Sequence, residues 1–179
     1  MHKRDKAFVF AGQAVSLVGP VLKEGDKAPD FKTWKFVPGQ GLVAVNLKDA
    51  LGGKAAMFSV VPSVDTPVCS MQTQKFNKEL TDLAGKANCY TVSMDLPFAQ
   101  NRFCGDAAHR IDNLSNLSDY KDHSFGPAYG TLIDEVQILS RAVFVVDKNG
   151  KITYAEYVPE AKQEPNYENA LAALKTAAG

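Results

Sequence analysis

AAMFSVV at Ala55–Val61 is a continuous run of apolar or β-branched residues of strand length, and CYTVSM at Cys89–Met94 is a second of the same kind. Runs without polar alternation are the pattern of strands covered on both faces. Between them, Phe76, Leu80, Leu83 and Ala84 recur at the spacing of one helix face, so the sequence predicts an amphipathic helix over Pro67–Ala84. Strand, helix and strand in that order imply a parallel crossover, and the class is α/β.

Working outward, Ala142–Val146 is a third apolar run. Lys151–Val158 then alternates Ile152 and Tyr154 with polar neighbours after Lys148, Asn149 and Gly150, which predicts a hairpin turn onto an edge strand and makes the sheet mixed. Tyr167, Ala170, Leu171 and Leu174, following Pro165, predict a C-terminal helix packed on that sheet. At the other end, Phe8–Phe10 and Val15–Val18, joined through Ala11–Ala14, predict a short hairpin over about residues 7–19. There is no repeat, low-complexity tract or linker, so residues 1–179 are expected to form one domain.

Twenty Lys and Arg residues balance twenty Asp and Glu residues, which leaves no long-range positive field for nucleic acid. No apolar stretch is long enough for a signal peptide or a membrane span. The three cysteines, Cys69, Cys89 and Cys104, are too few for a disulfide scaffold, and the odd count leaves at least one thiol unpaired. A reducing compartment or a working thiol follows, and the expected location is cytoplasmic, although a leader already removed would leave no trace.

Cys69 is the residue that carries chemistry. The stretch Val60–Cys69 ends a buried strand and opens the helix, with Pro67 suited to the first helical position and Thr66 to the N-cap. A thiol in that first turn faces unpaired backbone N–H groups and the positive end of the helix dipole, which favour the thiolate, the reactive form. Thr66 can serve either the cap or the sulfur, because one hydroxyl proton cannot bond both a carbonyl and a thiolate. Asp65, a turn residue, is expected to point to water.

Pro62, Thr66 and Cys69 are spaced as in the Pro-x-x-x-Thr-x-x-Cys signature of the peroxiredoxins. With Thr73, Phe76 and Asn77, the segment resembles the bacterial thiol peroxidase branch of that family. Asp95–Gln100 followed by Arg102, Phe103 and Cys104 resembles the branch's resolving-cysteine segment, and Ser140–Val146 resembles the strand that follows its arginine, here Arg141. Phe10, Gly12, Val15 and Leu17 resemble its added N-terminal hairpin. The sequence departs from the family at Gln74, where arginine is common, and at Thr131, where an apolar residue is usual.

The resemblance implies a thioredoxin-like fold, a central mixed β-sheet flanked by helices with the hairpin added. It implies that Cys69 is the peroxidatic thiol, that Thr66 and Arg141 are its hydrogen-bond partners, that Pro62 shields it, and that Cys104 is the resolving thiol. The implied activity is reduction of hydrogen peroxide and alkyl hydroperoxides through a Cys69 sulfenic acid and an intrachain Cys69–Cys104 disulfide, recycled by thioredoxin, in a homodimer. Leu96–Cys104 reads as a short helix starting at Pro97, so the two sulfurs are expected on different elements, beyond the roughly 7 Å Cα limit for bridging. Local unfolding of both helix turns would then precede the disulfide.

Cys89, beside Tyr90 and Val92, reads as core. His2, His109 and His123 are scattered without CxxC or HExxH, which argues against a zinc site built from Cys104 and His109, and no metal or other cofactor is implied. Two other functions compete. A thiol–disulfide oxidoreductase is disfavoured by the missing CxxC, whereas a redox-sensing interaction module would use the same two thiols without turnover.

Overall fold

The computed structural model describes residues 2–107 and 111–179. His109, and with it the possible zinc pairing, lies outside the described residues. In chain order the elements are β1 (Lys3–Phe10), β2 (Gln13–Val18), β3 (Lys32–Val37), β4 (Gly41–Asn46), α1 (Leu47–Leu51), β5 (Ala55–Val60), α2 (Pro67–Glu79) and β6 (Ala87–Ser93). There follow α3 (Pro97–Gly105), β7 (Ser115–Ser118), α4 (Phe125–Ala128), β8 (Leu132–Ile133), β9 (Ala142–Val146), β10 (Ile152–Tyr157) and α5 (Tyr167–Ala178).

The main sheet runs β10-β9-β5-β6-β7-β3-β4. β5, β6 and β7 are parallel, and the flanking pairs are antiparallel, so the sheet is mixed and β10 is its edge, as the sequence predicts. Every residue of β5 and β9 is buried. Their alternate side chains feed two cores. Phe58, Val60, Phe144 and Val146 enter a cluster with Phe31, Phe125 and Tyr129, whereas Met57, Val143 and Val145 pack under Phe76 of α2 and Leu174 of α5. Fully burying a side chain of this size is worth about 1.5–3 kcal/mol, so these two strands anchor the sheet. Rings of Phe76 and Tyr167, with centroids 4.9 Å apart, join α2 to α5 on that face.

Two sequence expectations need correction. The helix stops at Glu79 instead of running to Ala84: Thr81 Oγ1 donates to Lys78 O at 2.9 Å, and a single 3₁₀ turn, Thr81–Leu83, follows. Threonine and aspartate compete with the helix ladder through such local bonds. Phe76, Leu80 and Leu83 still face the core, while Ala84 is exposed. The N-terminal strands are longer than expected and are joined by a two-residue turn, with Phe10 opposite Gln13. Ala11 and Gly12 both take positive φ, 50° and 80°, as a tight turn matched to strand twist demands.

The hairpin forms a separate sheet, β1-β2-β8. It is also tied to the chain beyond β10: Val9 N donates to Pro159 O and Ala161 N to Val9 O, both at 2.9 Å. Those bonds hold the segment that meets Arg141.

Candidate active site

The site lies beyond the carboxyl ends of the parallel strands β5 and β6, where an open α/β sheet leaves a crevice between connections. The loop from Pro62 to Thr66 leads into α2, with Pro67 in its first turn. Ser70 N makes the first intrahelical bond, to Thr66 O at 2.9 Å, so the N–H groups of Val68 and Cys69 precede the ladder. Cys69, one residue before that bond, is fully buried, and Pro62 beside the strand end is buried as well.

Arg141, immediately before β9, is 1% exposed, and its Nη2 donates to Cys69 Sγ at 3.3 Å. The remaining bonds of the guanidinium go to neutral acceptors. Nε and Nη2 donate to Ala161 O at 3.2 and 2.7 Å, and Nη1 donates to Gln72 Oε1. Gln72 is itself fully buried, and its Nε2 donates to Ser59 Oγ of β5 at 2.7 Å. Among the described residues no carboxylate forms an ion pair with Arg141. Glu164, whose carboxyl is held below its usual range by Lys75, Tyr167 and then the Arg141 charge, accepts its hydrogen bonds from Lys75 Nζ and Tyr167 Oη, each at 2.6 Å. A buried cation costs several kcal/mol unless charge or well-placed acceptors offset it. Among the described residues, the one bond of this guanidinium that goes to a side chain able to react is the one to the Cys69 sulfur.

Thr66 departs from the reading that made it a partner of the sulfur. It stands at the N-cap position without a side-chain cap bond, and its Oγ1 donates to Ser63 O at 3.1 Å. The single hydroxyl proton is thereby committed to the loop carbonyl. Asp65 is exposed, as expected, and faces Arg102 of α3 at 3.7 Å.

All three cysteines are free thiols. Cys104 sits on α3, half-buried at the margin of the cluster that contains Cys69, and accepts from Asn116 Nδ2 at 2.8 Å. Burial pushes the Cys104 thiol up, against the opposing pull of the Asn116 bond. Cys89 is buried in β6 with its thiol pushed up to about 12 by desolvation, so it stays protonated and inert at neutral pH. Gln74 is exposed and bonds Ser70 Oγ, while Thr131 is buried with its N–H on Gly126 O.

Comparison with known proteins bears on this geometry. The model of the family described as Redoxin matches residues 23–171. The chain belongs to the redoxin family. This redoxin is 50% identical over 166 residues to a thiol peroxidase of Bacillus subtilis (strain 168), covering 93% of this chain and 95% of that one. It is 47% identical over 171 residues to a thiol peroxidase of Halalkalibacterium halodurans, covering 96% and 98%. Among solved structures, a peroxiredoxin-like protein from Aquifex aeolicus superposes with a TM-score of 0.84 at 38% identity, over 99% of each chain. A thiol peroxidase from Chromobacterium violaceum has the same fold, with a TM-score of 0.81 at 18% identity. This redoxin is therefore of the thiol peroxidase branch of the peroxiredoxins, and its sheet flanked by helices is the thioredoxin-like arrangement that the motifs imply.

Sequence reasoning did not find Gln72, Ser59 or the Ala161 carbonyl. Gln72 left a signal, a polar residue three positions after Cys69 and so on the same helix face. The Ala161 carbonyl left none, because a backbone oxygen has no residue type.

Proposed function

We propose that this redoxin reduces hydrogen peroxide and organic hydroperoxides with Cys69 as the attacking thiol and Cys104 as the thiol that resolves it. The observation that carries the reading is the buried guanidinium of Arg141, 3.3 Å from Cys69 Sγ and otherwise bonded to neutral acceptors.

Cys69, as thiolate, attacks one peroxide oxygen. The S–O bond forms as the O–O bond breaks, and the leaving oxygen takes a proton to become water or an alcohol. Charge grows on that oxygen during the step, where the fixed guanidinium and the free N–H groups of the helix start stabilise it more than the ground state. Pro62 keeps water from the sulfur. The Cys104 thiolate then attacks the Cys69 sulfenic acid, the S–S bond forms, and hydroxide leaves as water with one proton. Cys104 is half-buried with its thiol pushed up, so opening of α3 both frees it to move and returns it toward the ordinary thiol range. Exchange with a dithiol restores both thiols.

The resemblance and the thiol peroxidase relatives support thioredoxin as that dithiol, a homodimer, one thioredoxin-like domain over residues 1–179, and a cytoplasmic setting. No helix among the described residues is long and apolar enough to cross a membrane.

The test is Cys104→Ser. The variant should consume one equivalent of hydroperoxide per chain at the wild-type rate and then fail to turn over with thioredoxin. Full turnover in Cys104→Ser would remove Cys104 from the cycle, and loss of the first equivalent would mean that it takes part in the attack itself.

A further inference from the structure

We propose that Asp95 is a positioning residue that latches the Cys69 loop to the Cys104 helix, so that the two segments open together. The proposal rests on the assignment of those two thiols above. Asp95 lies between the end of β6 and the start of α3. Its Oδ1 accepts from Ser63 Oγ at 2.7 Å, and its Oδ2 accepts from Val64 N at 2.8 Å, both in the loop that leads to Cys69. Oδ2 also accepts from Ser93 Oγ at 2.7 Å, and Ser93 Oγ accepts from Gln100 Nε2 of α3 at 2.9 Å. Gln100 is buried one helical turn before Cys104. Asn116 Nδ2 closes the path by donating to Gln100 O at 2.9 Å and to Cys104 Sγ at 2.8 Å. The Asp95 carbonyl, accepting from Ser118 Oγ, ties the junction to β7.

A continuous polar path thus runs from the loop before Cys69 to the sulfur of Cys104, with one carboxylate at its centre. Bonds to an ionised carboxylate are the strong ones in such a path. Lifting the loop breaks two of them, and with Asp95 released the bonds that fix the first turns of α3 lose their anchor. The latch therefore sets how long the Cys69 sulfenic acid waits in the closed form. There a second hydroperoxide can oxidise it to the sulfinic acid, giving up one oxygen and leaving as water or an alcohol. A tight latch favours that loss, and a loose one favours the disulfide.

The experiment measures, by mass spectrometry after rapid quenching, the ratio of Cys69–Cys104 disulfide to Cys69 sulfinic acid over a range of hydroperoxide concentrations. Asp95→Asn and the milder Ser63→Ala are compared with wild type. Asp147→Asn is the control, a carboxylate that holds the turn between β9 and β10. Asp95→Asn should raise the hydroperoxide concentration giving equal products by about tenfold, the weight of roughly one charged hydrogen bond. Ser63→Ala should move it the same way by less, and Asp147→Asn not at all. Amide exchange should speed up together in residues 63–66 and 98–105 of Asp95→Asn. An unchanged ratio in both latch variants, beside a wild-type protein that forms the disulfide, would overturn the latch and leave the thiol assignments intact. The same holds if the shift is matched by Asp147→Asn, since general destabilisation would then explain it. A wild-type protein that forms no Cys69–Cys104 disulfide would overturn both readings.

Discussion

Arg141→Gln is expected to lower the second-order rate constant for oxidation of Cys69 by hydroperoxide about 10²- to 10³-fold, the range seen when one preorganised donor is removed from a developing oxyanion. Glutamine keeps a donor near the sulfur but not the charge. In the native pocket that charge is fully buried and held by Ala161 O and Gln72 Oε1, neither of which neutralises it. The loss should appear in the oxidation step and leave the later exchange with thioredoxin unchanged, which stopped-flow measurement of each half-reaction separates. A fall of less than threefold, with the fold intact by circular dichroism, would show that the guanidinium is a structural strut for the segment around Ala161 and not part of the chemistry.

Cys69→Ser should go further and remove peroxidase activity by roughly 10⁴- to 10⁶-fold, as expected for loss of a nucleophile. Neither remaining thiol can replace it. Cys89 is buried and protonated, and Cys104, its thiol pushed up by burial, accepts from the neutral amide of Asn116. The serine hydroxyl fits the same space, so stability should change little, and the comparison isolates the sulfur. Peroxide consumption that continues in Cys69→Ser at more than a hundredth of the wild-type rate would place the chemistry elsewhere in the chain.

The strands at the centre of the sheet were legible because burial on both faces writes itself into Ala55–Val60, interrupted only by Ser59, and Ala142–Val146 as apolar runs. β3 and β4 carry no such mark. Lys32, Lys35 and half-exposed Trp34 and Phe36 lie along a pair at the sheet margin, whose place is fixed by tertiary contacts: pairing with Ser118 of β7, the Phe36–Phe98 ring contact with α3, and the Trp34 bond to Asp122. The end of α2 was misread because the apolar stripe continues through Leu83 after the helix has stopped, a case in which side-chain periodicity outlasts the backbone ladder.

The same contrast holds at the site. Cys69 could be singled out from its place after Thr66 and Pro67, since helix geometry alone puts it among free N–H groups. Arg141 is remote in sequence and was reached only through the family resemblance. What holds it is less legible still, because the Ala161 oxygen depends on Val9 of the N-terminal hairpin pairing with residues 159–161, a tertiary contact made by backbone bonds and by packing of Ala161 on the hairpin's apolar cluster. The hairpin, which reads as an appendage in the sequence, is thus the outer support of the guanidinium. Asp95 stood in plain view within the segment that leads to Cys104, but its partners Ser63 and Val64 are brought to it by the parallel register of β5 and β6.

The most direct test is peptide mapping of the fully reduced protein after one equivalent of hydroperoxide, with remaining thiols alkylated under denaturing conditions. The account predicts a single intrachain link between Cys69 and Cys104, with Cys89 recovered as an alkylated thiol. A link from Cys69 to Cys89, or Cys69 recovered as a free thiol after the oxidant is consumed, would contradict it.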